Sequence, residues 1–296
     1  MEENIEIQTD NAPQADAPTP SKKGLFPTFA DLAAVFGVFI LAQLLGFFLA
    51  RIFLSVAAWE LSYQLEQAWL MLLMQCVSMP LVILFIALLR RSRHAEKVRV
   101  HFSVLGFNPS VLLGGVVMML SASVVLEPLI ALLPAMPAIE ARGWPLLVAL
   151  VVAAPIFEEY ICRGLIYGAV RAKWSIVVGL VVSSLFFGLM HLHPSMIVNA
   201  FFMGLILGYI YIRTRSLFAP ILLHAFNNGL AYIFLLLGWG NDVLLGDMIP
   251  NRTFYYIIYG LSIIALLVSV VLSWRLFSQL VESQSGAVEE IIEDEE

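Results

Sequence analysis

The sequence predicts an all-α membrane protein, a polytopic helical bundle of about eight transmembrane helices, and three observations carry that expectation. Of the 296 residues, 60% are hydrophobic and only 13% charged, with a mean hydropathy of +0.90. Soluble domains do not have this composition. Apolar windows of roughly 20 residues, the length needed to cross about 30 Å of hydrocarbon, recur too often for a single anchor. Lys and Arg gather mostly at alternate window ends, as they do where basic residues hold helix ends in the cytoplasm.

In chain order, residues 1–24 are rich in Pro, Asn, Gln, Asp and Glu and bury too little apolar surface to fold, which predicts a disordered cytoplasmic tail. They lack the basic start, short apolar core and small-residue cleavage site of a removable signal peptide, so the first span is expected to act as the insertion signal. A transmembrane domain is predicted over 25–278. Its windows fall at about 28–50, 67–89, 110–133, 145–169, 174–192, 195–213, 217–237 and 254–276, and the short connection at His193-Pro194 makes the fifth and sixth the pair most easily miscounted. Residues 279–296 form an acidic cytoplasmic tail; the stretch after Ser285 carries six acids and no base, which accounts for most of the formal charge of −6.

Alternating through eight spans from an inside N-terminus puts twelve basic residues in the cytoplasm: Lys22, Lys23, Arg90, Arg91, Arg93, Lys97, Arg99, Arg171, Lys173, Arg213, Arg215 and Arg275. Arg51, Arg142 and Arg252 fall outside. Both termini are therefore expected to be cytoplasmic, in a multi-pass protein of the cell membrane. The basic loop Arg90 to Arg99, with His94 and His101, reads as a topology determinant in contact with anionic lipid; no nucleic acid partner is expected. Trp144 and Trp174 mark span ends. Asp31 complements the helix dipole near the start of the first span, and Glu127 reads as an interfacial carboxylate. Cys76 and Cys162 lie in apolar segments as small buried hydrophobes. Gly164 with Gly168 and Gly204 with Gly208 allow close helix approach on the fourth and sixth spans.

The fourth span contains Glu158, Glu159 and Arg163 within APIFEEYICRG. An ionised carboxylate at the centre of a membrane helix costs roughly 3 kcal/mol or more and persists where it faces protein or trapped water. Residues four apart share a helix face, so Glu159 can pair with Arg163 while Glu158 points elsewhere. One acid is then neutralised and the other left free to take a proton from water. The structural alternative is an ion-pair network that only pins helices together.

The fifth window ends in Phe187-Gly188-Leu189-Met190-His191, followed by His193, and the seventh holds His224-Ala225-Phe226-Asn227-Asn228. His224 and Asn228 share a face. Counted from Arg171 and Arg215 respectively, Glu158 and Asn228 each lie about 13 residues in, roughly 20 Å, and can meet at one depth. His191, about 18 residues or roughly 27 Å from Lys173, meets them only if the fifth helix starts late or tilts. His193, before Pro194, reads as a loop residue. Carboxylate, imidazole and amide groups on three helices suit water activation with oxyanion stabilisation, hence peptide or ester hydrolysis. A zinc site is the chemical alternative, with Glu158, His191 and His224 as ligands, although HExxH is absent.

EEYICRG fits EExxxR, FGLMH fits FxxxH and HAFNN fits HxxxN, in that order on successive membrane segments. Together they resemble the CAAX prenyl endopeptidase type 2 family, also called Abi or CPBP intramembrane proteases, over roughly residues 145–237. The resemblance implies that Glu158 is the general base assisted by His191, that His224 and Asn228 stabilise the oxyanion, that Glu159 and Arg163 support them, and that Phe187 is a pocket or packing residue. It implies a peptide or membrane-protein substrate in the bilayer. We expect no cofactor, zinc being the possible exception, because Asn is a poor zinc ligand and a good oxyanion donor. A non-catalytic scaffold or immunity-type protein on the same fold would keep its function without Glu158 and lose it with the tails. An ion or small-molecule transporter would use the buried charges as a relay, but paired halves with interrupted helices are not visible in the sequence.

Overall fold

The computed structural model describes residues 26–57, 59–95, 98, 100–102, 109–238 and 244–293, with side chains through residue 272. The tail at 1–24 lies outside the described residues, as do Lys97 and Arg99. Among the described residues all regular structure is helical: α1 (Phe29–Ala57), α2 (Tyr63–Ser92), α3 (Pro109–Ile130), α4 (Trp144–Lys173), α5 (Ile176–Leu189), α6 (Pro194–Thr214), α7 (Phe218–Leu236), a short α8 (Leu245–Met248) and α9 (Arg252–Glu293). Seven of these, all but α5 and α8, are long and apolar enough to cross a membrane. The protein is an integral membrane helical bundle. The backbone of α9 is helical through Glu293, into the acidic segment.

The fifth window departs from the expected full span. Its helix has 14 residues, roughly 21 Å at 1.5 Å per residue. The chain turns at Met190–His193, where Leu192 takes a positive φ of 60°, and Pro194 starts α6 with its ring preset for a first helical position. Gly188 permits the sharp reversal: a Cβ there would lie 2.7 Å from the Ile197 carbonyl oxygen. The helix starts late, at Ile176, which shortens the helical path to His191 as the depth count required; His191 itself sits in the turn just past Leu189.

Polar contacts gather alternate helix ends. Thr28 and Asp31 cap the start of α1 reciprocally, and Arg93 at the end of α2 donates to Asp31 at 2.8 Å. Lys173 at the end of α4 donates to the Pro27 carbonyl, and the amide of Leu217, before α7, donates to His101. These ends share one face, and it carries the larger set of basic residues. At the other face Arg51 pairs with Glu66, and the Arg142 amide donates to Gln64. Trp59, Trp69 and Trp144 pack there, and Trp174 against Phe29 at the first face. Both are positions where amphipathic rings suit an interface. Glu127 is buried and accepts from Tyr255 and from the Leu245 amide. Cys162 is buried against Met190, while Cys76 is exposed.

The largest buried cluster runs through the middle of the bundle. Phe39, Val82, Met119, Ile161, Phe187, Leu207 and Leu223 belong to it, from α1 through α7. The polar site lies within it.

Candidate active site

The helix that carries both glutamates is not a regular α-helix. Two stretches of α4, Val148–Ala153 and Tyr160–Tyr167, are wound as π-helix, with the α-helical turn Ala154–Glu159 between them. Such bulges occur frequently at functional sites because they re-aim side chains and free backbone groups. Here Pro155 supplies a local cause, since it has no N–H for the preceding turn and its ring crowds the carbonyl four residues back.

Glu159 and Arg163 form the expected pair, Nη1 to Oε1 at 3.0 Å, with both side chains fully buried. The second guanidinium arm donates to the Gly204 carbonyl at 2.8 Å, and the Arg163 Cζ sits 4.5 Å from the centroid of the Phe187 ring. The cation is therefore held by a carboxylate, a carbonyl and an aromatic face, which offsets the cost of burying it.

Glu158 does not simply point away from this pair. Both carboxylates address His224: Nδ1 lies 3.0 Å from Oε1 of Glu159, and Nε2 lies 3.9 Å from Oε2 of Glu158. A ring with nitrogens on two edges can be bracketed by neighbouring residues about 100° apart on one helix. A carboxylate only accepts, so Nδ1 carries a proton in the closer contact, and Nε2 is turned toward Glu158. Glu158 is 12% exposed, and its Oε2 is buried without a hydrogen-bond partner in the protein.

His191 donates from Nδ1 to the Phe187 carbonyl at 2.9 Å, which leaves its Nε2 as the accepting nitrogen of the neutral ring. Phe187, only 2% exposed, stands between the two imidazoles, with centroids 5.2 Å from His191 and 5.3 Å from His224. The structure thus brings Glu158, Glu159, Arg163, Phe187 and His224 into direct contact and joins His191 through Phe187. Asn228, one turn beyond His224, donates from Nδ2 to the Leu150 carbonyl at 2.9 Å. His193 contacts Ser195 at the start of α6, a local loop arrangement.

Two backbone oxygens, those of Leu150 and Gly204, belong to the site and carry no side-chain signature. The only sequence signals near them are Pro155 and the Gly204–Gly208 spacing. The zinc alternative asks whether Glu158, His191 and His224 converge. Among the described residues no three His, Cys, Asp or Glu side chains converge on a point where a metal ion could be held.

A multi-pass helical bundle with a buried carboxylate–imidazole centre defines the class. Residues 140–230 match the family model of the type II CAAX prenyl endopeptidases, Rce1-like. This segment holds all the motif residues, so the resemblance drawn from EExxxR, FxxxH and HxxxN is borne out over it. The chain is similar to the membrane-embedded CAAX protease MroQ of Staphylococcus aureus (strain USA300), 32% identical over 126 residues, 40% of this chain and 50% of that protein. It is also similar to the putative membrane peptidase YdiL of Bacillus subtilis (strain 168), 31% identical over 77 residues, 26% of this chain and 32% of that one. The matched part spans half or less of each of these relatives. No solved structure matches.

Proposed function

We propose that this protein is an intramembrane endopeptidase in which Glu158 activates water to hydrolyse a peptide bond. The observation that carries the reading is the buried, unpartnered Oε2 of Glu158, 3.9 Å from the Nε2 of a His224 ring that Glu159 and Arg163 hold in place. Glu158 takes a proton from water as the water oxygen attacks the carbonyl carbon, and His191 orients that water through Nε2. The oxyanion accepts from the remaining Nδ2–H of Asn228 and from Nε2 of His224 in its doubly protonated form, with Nδ1–H kept on Glu159. Collapse breaks the C–N bond, and the proton on Glu158 passes to the leaving amine.

No metal ion enters these steps. The substrate is a peptide or another membrane protein reached from the bilayer, and the face carrying Arg93, Arg171 and Lys173 is cytoplasmic, in the cell membrane with both termini inside. Family membership of the matched segment and the names of the two relatives support the peptidase reading.

The test is cleavage of a fluorogenic peptide library by protein purified in detergent, comparing wild type with Glu158→Gln. Loss of a general base predicts a fall in kcat of about 10²–10⁴-fold, with unchanged helix content by circular dichroism. Wild-type turnover in Glu158→Gln would overturn the assignment.

A further inference from the structure

Asn228 is held by a carbonyl that a regular helix would have used itself. In the π-helical turn the Ala154 N–H donates to Ala149, five residues back, and so passes over Leu150. The next amide, five residues beyond Leu150, belongs to Pro155, which has none. Neither N–H that a helix would bring to the Leu150 oxygen is available, and a carbonyl left without a donor in a partly buried position is costly. Asn228, 78 residues away on α7, supplies the bond from Nδ2 at 2.9 Å. Nδ2 has a second proton in the amide plane, and fixing one proton fixes the direction of the other.

We propose that Pro155 is a positioning residue for hydrolysis: by withholding an N–H it keeps the Leu150 carbonyl open, so that Asn228 is anchored with its free N–H aimed at the oxyanion. This rests on the peptidase reading given above. Pro155 touches no reacting atom; it acts through Leu150 and Asn228. A stray amide proton at position 155 competes for the same oxygen and releases the Asn228 side chain into other rotamers.

The test is Pro155→Ala in full-length protein in detergent micelles, with Pro155→Gly as a second variant that also restores the N–H. Two readouts are taken. The side-chain amide signal of Asn228, assigned in ¹⁵N-asparagine-labelled protein by its loss in Asn228→Asp, reports the anchor without reference to turnover. Peptidase kinetics report the consequence. We expect the Asn228 amide to exchange with solvent about tenfold faster, and kcat to fall about tenfold with KM within about twofold. Tm should hold or rise, because a proline leaves the helix interior. An unchanged Asn228 signal overturns the anchor. A changed signal with wild-type kcat overturns the positioning role, as does a fall of kcat that tracks a fall of Tm in both variants. If wild type and Glu158→Gln cleave equally, the peptidase reading has failed instead, and the amide signal still decides whether Pro155 sets the anchor.

Discussion

Glu159 is shared between Arg163 and His224: the same carboxylate oxygen, Oε1, lies 3.0 Å from Nη1 of the one and 3.0 Å from Nδ1 of the other. A carboxylate used this way fixes an imidazole against a backing cation. It also makes the centre intolerant of losing either charge alone.

Arg163→Ala should therefore destabilise the protein by about 3–5 kcal/mol, the usual consequence of leaving one buried charge without its partner. Thermal unfolding in detergent, followed by exposure of the buried Cys162 thiol, measures this. A Tm within a degree of wild type would contradict the burial of the pair.

The opposite expectation holds for Arg93. Its pair with Asp31 is 2.8 Å long, but only Asp31 is buried, while Arg93 is 44% exposed; Asp31 keeps its two bonds from Thr28 without Arg93, and a solvent-facing partner contributes about 0–1 kcal/mol. Arg93→Ala should leave Tm nearly unchanged at high salt and at low salt lower it slightly, because screening already weakens an attraction whose cation faces solvent.

Gly204 and Gly208 separate packing from function on one helix. A Cβ at Gly208 would overlap the Leu180 Cδ1 methyl, the tip of a side chain, whereas one at Gly204 would meet the Ser184 Cα at 3.0 Å and the Phe187 ring at 3.3 Å. The Gly204 carbonyl also holds Arg163. Gly208→Ala should lower Tm with little change in kcat, and Gly204→Ala should lower kcat roughly tenfold or more. Equal kcat values for the two variants would count against a role for the Gly204 contact.

Chelation separates the two water-activating chemistries. Because the described donors do not converge as a ligand set, activity should survive dialysis against a strong chelator and be insensitive to added zinc. Activity lost on chelation and restored by zinc would point to a metal bound to the Glu158 cluster.

Local spacing carries the contacts that could be read in advance. Glu159 with Arg163 is a four-residue relation within one helix, and helical geometry alone brings such residues together. The same logic leaves Glu158 out of that pair, but it is confined to one helix and does not say that the side chain turns toward His224 of α7. The short α5 was hidden because an apolar run has no marker for where a helix ends inside it. The close approach of Gly188 to the Ile197 carbonyl, with the turn at Leu192, marks that limit in three dimensions.

Composition and charge order were enough for the membrane bundle, and the three motifs for the family resemblance, because hydropathy and residue type are properties of the chain itself. The contacts of Arg163 with Gly204, of Glu159 with His224 and of Asn228 with Leu150 span 41, 65 and 78 residues. Two of them end on main-chain oxygens, which every residue possesses and no side chain announces. Which oxygen is open depends on how the π-turns wind and how closely α6 and α7 approach α4, and packing in three dimensions decides that.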